Sequence, residues 1–157
     1  MASTKKTWRE KVNGFEEKIH VITPEWESKL GKGKILIPNA LDIERLINET
    51  EKGELLTSDI IREKLAREKN VRLTAAIPTG VYLKFIAEAA EEERPVKSKT
   101  TPYWKVLKPD GSVNIKFPGG VERQSELLES EGHTIEPGKG KKPPRAISFE
   151  KSLESLN

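Results

Sequence analysis

No cysteine occurs anywhere in the chain. Disulfides, thiolate nucleophiles, zinc–cysteine sites and iron–sulfur clusters are therefore excluded. Only two histidines are present, His20 and His133, too few for a multi-histidine metal site. With no covalent or metallic staple, the chain has to be held by apolar packing. Its 157 residues suit one globular unit. Apolar and charged residues each make up 34%. A core that sparse implies that part of the chain runs over the surface.

The apolar positions say where that core comes from. Trp8, Val12, Phe15 and Ile19 fall at helical spacing in an otherwise aperiodic lead segment, residues 1–37. Asn39 can cap a first clear helix, with Asp42 in its first turn and Leu41, Ile43, Leu46 and Ile47 on its apolar face; Glu51-Lys52-Gly53 ends it. A second helix is expected at 58–69 behind Thr57 or Ser58, with Ile60, Ile61 and Leu65 inward. After a connection from Asn70 to Pro78, a third is expected at 79–93, capped by Thr79, with Val81, Tyr82, Phe85, Ile86 and Ala89 as its stripe. Glu91, Glu92 and Glu93 close it against the helix dipole.

Tyr103 to Phe117 then reads as a β-hairpin around Pro109-Asp110-Gly111. Trp104 and Val106 alternate on one arm, and Val113, Ile115 and Phe117 on the other. Pro118-Gly119-Gly120 breaks the chain before a fourth helix at about 121–131. Residues 134–157 form a basic tail with Lys139, Lys141, Lys142 and Arg145. It reads either as a solvated tail or as an arm that contacts phosphates. The order predicts a mainly helical α+β fold with a winged helix-turn-helix-like core at 38–133. No apolar stretch reaches the roughly 20 residues of a membrane span, and the first eleven residues lack the apolar region of a secretory signal. A cytoplasmic protein without membrane contact is the expectation.

Three stretches resemble the methylguanine-DNA methyltransferases, and especially their cysteine-free alkyltransferase-like branch. Lys52-Gly53-Glu54-Leu55-Leu56-Thr57 resembles the family's Gly-Lys-Val-Thr-Thr-Tyr. Pro102-Tyr103-Trp104-Lys105-Val106 stands where the family has Pro-Cys-His-Arg-Val. Gly119-Gly120-Val121-Glu122-Arg123-Gln124, continuing to Leu127-Leu128 and Glu131-Gly132-His133, is similar to the family's Gly-Gly-Leu-Glu-Arg-Gln ending and is the most specific of the three.

The resemblance implies an α+β DNA-binding domain whose third helix enters the minor groove. It also implies that transfer chemistry is lost. A thiolate activated by histidine is replaced by Tyr103 and Trp104, and Lys105 takes the arginine position. Tyr103, Trp104, Pro118, Gly119 and Gly120 are then expected to line a lesion pocket, and Ser58, Thr79, Gly80, Lys84 and Lys105 to contact DNA. The implied role is a non-enzymatic protein, free of cofactor and metal, that binds double-stranded DNA, recognises alkylated guanine and hands it to nucleotide excision repair proteins. Two departures bear on base flipping: Ser58 replaces a family tyrosine, and no arginine lies between Thr79 and Glu93, where Lys84 is the sole cation. A general winged-helix DNA-binding or regulatory protein, and a protein-interaction module, stay open beside that reading. Glu131 reads as a helix-end residue or a hydrogen-bond anchor rather than a catalytic acid, and the side chains of Tyr103 and Trp104 read either as hairpin packing or as pocket wall.

Overall fold

Thr7 opens the first helix of the computed structural model, which describes residues 6–153. Its hydroxyl accepts from the Glu10 N–H at 3.0 Å, and the Glu10 carboxylate accepts from the Thr7 N–H, a complete capping box for α1 (Trp8–Asn13). Val12 is fully buried, while Trp8 packs edge-on against Phe85 and Phe15 against Tyr82. The helix stops at Gly14, so Ile19 falls instead in β1 (Lys18–Val21). Thr23 and Pro24 then start α2 (Pro24–Leu30), proline being well placed in a first turn whose N–H has no partner to lose.

β1 pairs antiparallel with β2 (Lys34–Ile37), and β2 pairs parallel with β4 (Leu73–Thr74). Part of the aperiodic lead segment is therefore built into a small sheet, and it sends Val12 and Leu36 into the main core. α3 (Ala40–Asn48) has the expected cap: Asn39 Oδ1 accepts from the Asp42 N–H at 2.7 Å. It ends before the Glu51–Glu54 turn, where Gly53 takes the left-handed φ of 89°.

β3 (Leu56–Thr57) runs straight into α4 (Ser58–Glu68). The third long helix, α5 (Ala76–Glu93), begins three residues earlier than expected. Pro78 does not delay it, because a first-turn residue needs no N–H bond within the helix. Thr79 is thereby an interior residue and not the cap; it is buried and its hydroxyl donates to the Ala75 carbonyl at 2.7 Å. α5 packs on α1, α3 and α4 and is the axis of the fold.

The hairpin expected over 103–117 does not form. Tyr103–Lys105 is a short 3-10 turn, and only β5 (Val106–Leu107) is strand, lying parallel to β3 with Leu56 opposite Val106 and Thr57 opposite Leu107. The turn itself is present, closed by Lys108 N–H to Ser112 O at 3.0 Å with Gly111 at φ 86°. Its two arms are held apart by Gln124 of α6 (Gly120–Ser130). The fully buried Gln124 amide donates to the carbonyls of Trp104 (2.9 Å) and Val106 (3.2 Å), and its oxygen accepts from the Asn114 N–H at 2.8 Å. Those are backbone groups a hairpin ladder would have used.

The chain closes with β6 (Ile135–Glu136), β7 (Arg145–Ala146) and a 3-10 turn at Phe149–Ser152. β6 and β7 pair antiparallel. The main core gathers α1, α3, α4 and α5 around Ile43, Leu46, Leu65 and Ile86. A smaller cluster joins Leu55, Leu107, Val113, Leu128, Ala146 and Phe149. The result is a mainly helical α+β fold with three small sheets. Among the described residues, no helix is long and apolar enough to cross a membrane.

Candidate functional site

The 3-10 turn decides where three expected site residues point. With about three residues per turn, successive side chains fan out by about 120°, whereas a strand would put the first and third on one face. Tyr103 turns inward and is fully buried, edge-on to Trp104 and Phe117 with ring centroids 5.5 and 5.3 Å away. Its hydroxyl donates to Glu91 of α5. Arg123 of α6 holds the same carboxylate at 3.2 and 3.3 Å, its Nε sharing the oxygen that accepts from the phenol. Burial, and then the Glu91 carboxylate, push the phenol well above its ordinary range. A phenol so held stays protonated at neutral pH and acts as a hydrogen-bond donor.

Trp104 turns the other way. Its indole N–H donates to Glu131 at 2.5 Å, and the other oxygen of that carboxylate accepts from the Gly53 N–H at 2.8 Å. Of the two roles expected for Glu131, it fills both: it caps the end of α6 and, as a hydrogen-bond anchor, ties that end to the 51–54 turn. Lys105 is a correction. It is 2% exposed, donates to the Glu51 carbonyl and lies 3.6 Å from Glu131, so it faces inward and offers nothing to a phosphate.

An open cavity of about 1250 Å³ lies between the end of α5, the 94–102 connector and the 50–53 turn. Trp104, Lys105 and Glu131 line it, together with Asn48, Lys52 and Thr101. Of the five residues expected around a lesion pocket, only Trp104 borders this space; Tyr103, Pro118, Gly119 and Gly120 do not. One wall is an ion-pair network. Arg9 grips Glu44 through two bonds of 2.6 and 2.8 Å and reaches Glu93 at 2.9 Å, while Lys97 reaches Glu93 at 2.8 Å. Arg9 first, with help from Lys97, holds the Glu93 carboxyl below the usual range. Among the described residues, no cluster of His, Asp or Glu is arranged to hold a metal ion.

The residues expected to contact DNA are scattered differently. Ser58 starts α4 and is half-buried, and Thr79 is buried within α5. Gly80 is exposed, and a Cβ there would meet nothing within 4 Å. Lys84 is half-buried with its ammonium 5.6 Å from the Trp8 ring. Ile77, Gly80, Val81 and Lys84 share one helical face by their spacing. Ile77 is 82% and Val81 43% exposed, so the N-terminal half of α5 presents a narrow apolar stripe to solvent.

Sequence reasoning missed the residues that hold this region together: Arg9, Glu44, Glu91, Arg123 and Gln124. Two carried a signal. Glu44 lies among Ile43, Leu46 and Ile47, and Gln124 falls at helical spacing between Val121 and Leu128. A polar residue on an apolar stripe announces a buried partner. Glu91, Glu92 and Glu93, which oppose their own helix dipole, are used by other elements; Glu92 accepts from the N–H groups of Trp8 and Arg9 at the start of α1.

No family model matches the sequence, and no curated protein matches it. Solved structures do share the α+β fold. One is S. pombe Atl1 in complex with damaged DNA containing O6-carboxymethylguanine, at a TM-score of 0.50 and 17% identity over 74% of this chain and 94% of that one. Another is S. pombe ATL in complex with DNA, at a TM-score of 0.51, with the same identity and coverage.

Proposed function

We propose that this chain is a non-catalytic, double-stranded DNA-binding protein of the alkyltransferase-like type. The observation that carries the reading is the fold shared over 94% of the length of a protein solved on damaged DNA. The exposed Ile77–Gly80–Val81 stripe supports it, since small and apolar side chains suit the shallow chemistry of a minor groove, where bending is easier than sequence readout. In this alignment of roles Tyr103 occupies the nucleophile position and Trp104 the base position. The phenol, capped by Glu91, and an indole without a basic nitrogen carry out no alkyl transfer.

Within that reading the ligand is alkylated guanine in duplex DNA, passed on to excision-repair proteins. The test is fluorescence anisotropy at low salt with matched duplexes, one carrying an O6-alkylguanine. Binding to both, tighter to the alkylated one, is expected. Equal affinity removes lesion recognition, and no binding to either removes the DNA-binding reading itself. The burial of Tyr103 favours a second reading, in which the fold binds DNA with no damage preference. The same experiment separates the two. Gly80→Asp places a carboxylate on the stripe without a clash and is expected to weaken binding at least tenfold while leaving thermal stability unchanged.

A further inference from the structure

The basic segment after α6 is not a loose tail. β6 and β7 form the base of a hairpin, with Ile135 opposite Ala146 and Glu136 opposite Arg145. Its tip is drawn tight by Lys142 N–H to Lys139 O at 2.9 Å, with Gly140 at φ 58°. A Cβ on Gly138 would lie 2.3 Å from the Lys142 carbonyl, so only glycine permits this closure. Lys139, Lys141 and Lys142 are all exposed, and none has an acidic partner among the described residues. Arg145 lies 3.9 Å from Glu136, both side chains being nearly half exposed, and, behind the hydrogen bonds from Ser112, helps to hold the Asp110 carboxyl below its usual range. From Pro137 to Arg145 no acid occurs.

The base of this hairpin is fixed to the body of the protein. Val113 N–H donates to Pro144 O at 2.9 Å and Ala146 N–H to Gly111 O at 3.0 Å. Ala146 and Phe149 are buried in the smaller core cluster with Leu55, Leu107 and Leu128. A merely solvating tail needs no such mounting. The mounting also places it. Thr57 and Leu107 are paired in parallel, so Ser58 and Lys108 leave the same end of that strand pair. The turn beginning at Lys108 carries Ser112, which bridges to Arg145. The charged hairpin and the exposed Lys108 therefore stand at the end of the β3–β5 pair where α4 begins.

We propose that the 137–145 hairpin, with Lys108, is a phosphate grip on duplex DNA, separate from the α5 stripe. This rests on the DNA-binding reading above and adds to it a second contact surface. Unpaired ammonium groups on a rigid, closely turned support match a polyanion with regularly spaced charge. Lysine acts as a point charge, so the contact fixes position without reading bases.

The experiment measures duplex binding by anisotropy from about 50 to 300 mM salt, for the unmodified chain and for Lys139→Gln/Lys141→Gln/Lys142→Gln. Each phosphate neutralised contributes about 0.9 to the slope of log K against log salt, so the triple variant is expected to lose about 2 to 3 in slope. It should also bind more than tenfold more weakly at the lowest salt, with unchanged melting, because these side chains are exposed and form no ion pair among the described residues. An unchanged slope in a variant whose parent binds DNA overturns the grip alone. Absence of binding by the unmodified chain overturns the DNA-binding reading and the grip with it.

Discussion

Glu131 is the side chain whose removal should be felt farthest from its own position. One carboxylate accepts from the Gly53 N–H at 2.8 Å and the Trp104 indole at 2.5 Å, and it lies 3.6 Å from the Lys105 ammonium. The Lys105 side chain is 2% exposed and that of Glu131 10%. In Glu131→Ala the ammonium keeps only the Glu51 carbonyl. Removing one partner of a buried ion pair costs about 3–5 kcal/mol, and each orphaned donor about 1–3 kcal/mol. The costs do not add fully, because one group serves all three and the neighbouring cavity admits water. A net loss of about 4 kcal/mol is expected, set against a total stability of about 5–15 kcal/mol. With a urea slope near 2 kcal/mol/M, the unfolding midpoint should fall by about 2 M. Glu131→Gln keeps an acceptor but not the charge and should fall by about half as much. A midpoint shift below about 0.5 M for Glu131→Ala, at unchanged slope, would refute the claim that this carboxylate joins α6 to the 51–54 turn.

Tyr103→Phe removes the hydroxyl bonded to Glu91 but leaves the Arg123 contacts, so melting should drop by only about 2–4 °C. Because the folded phenol is raised above its ordinary range, its contribution is present at neutral pH and is lost as pH climbs past about 10, where the unfolded tyrosine ionises. Lysines titrate there too, so the readout is the gap between parent and Tyr103→Phe urea midpoints, which should narrow from pH 8 to pH 11. Glu93 behaves in the opposite sense. Its carboxyl is depressed by Arg9, so its stabilisation is present above about pH 4.3 and disappears as pH falls through the lower folded value. Glu93→Gln should therefore be clearly less stable than the parent at pH 6 and indistinguishable from it near pH 2.

The helices at 40–48, 58–68 and 120–130 were legible, because each shows its apolar face, and the Asn39 cap was legible as well. Strands of two residues carry no period, so β3 and β4 left no trace in the pattern. The alternation of Trp104, Val106 and Val113 to Phe117 points to a hairpin because apolar alternation is also what a paired strand shows. Gln124, 20 residues beyond Trp104 and 18 beyond Val106, takes up the carbonyls that pairing would need. The composition Tyr103-Trp104 excluded a thiolate without any structure, but the direction of each side chain follows from a 3-10 turn that propensity does not foretell. The same turn moved Lys105 from an expected DNA face to the interior.

Leu55 has a further meaning for how the chain assembles. Its N–H donates to Ser152 O at 2.7 Å, and it bridges to Leu153, while the next residue pairs with Val106. Contacts between residues that distant in sequence raise the contact order and slow folding. On a ribosome, helices α3 to α5 can pack as soon as they emerge, but the strand leading into α4 waits for Val106 and Leu107, and Leu55 just before it waits for Ser152 and Leu153. The smaller cluster is therefore the step that completes last, and shortening the chain by even a dozen residues would strand it unfinished.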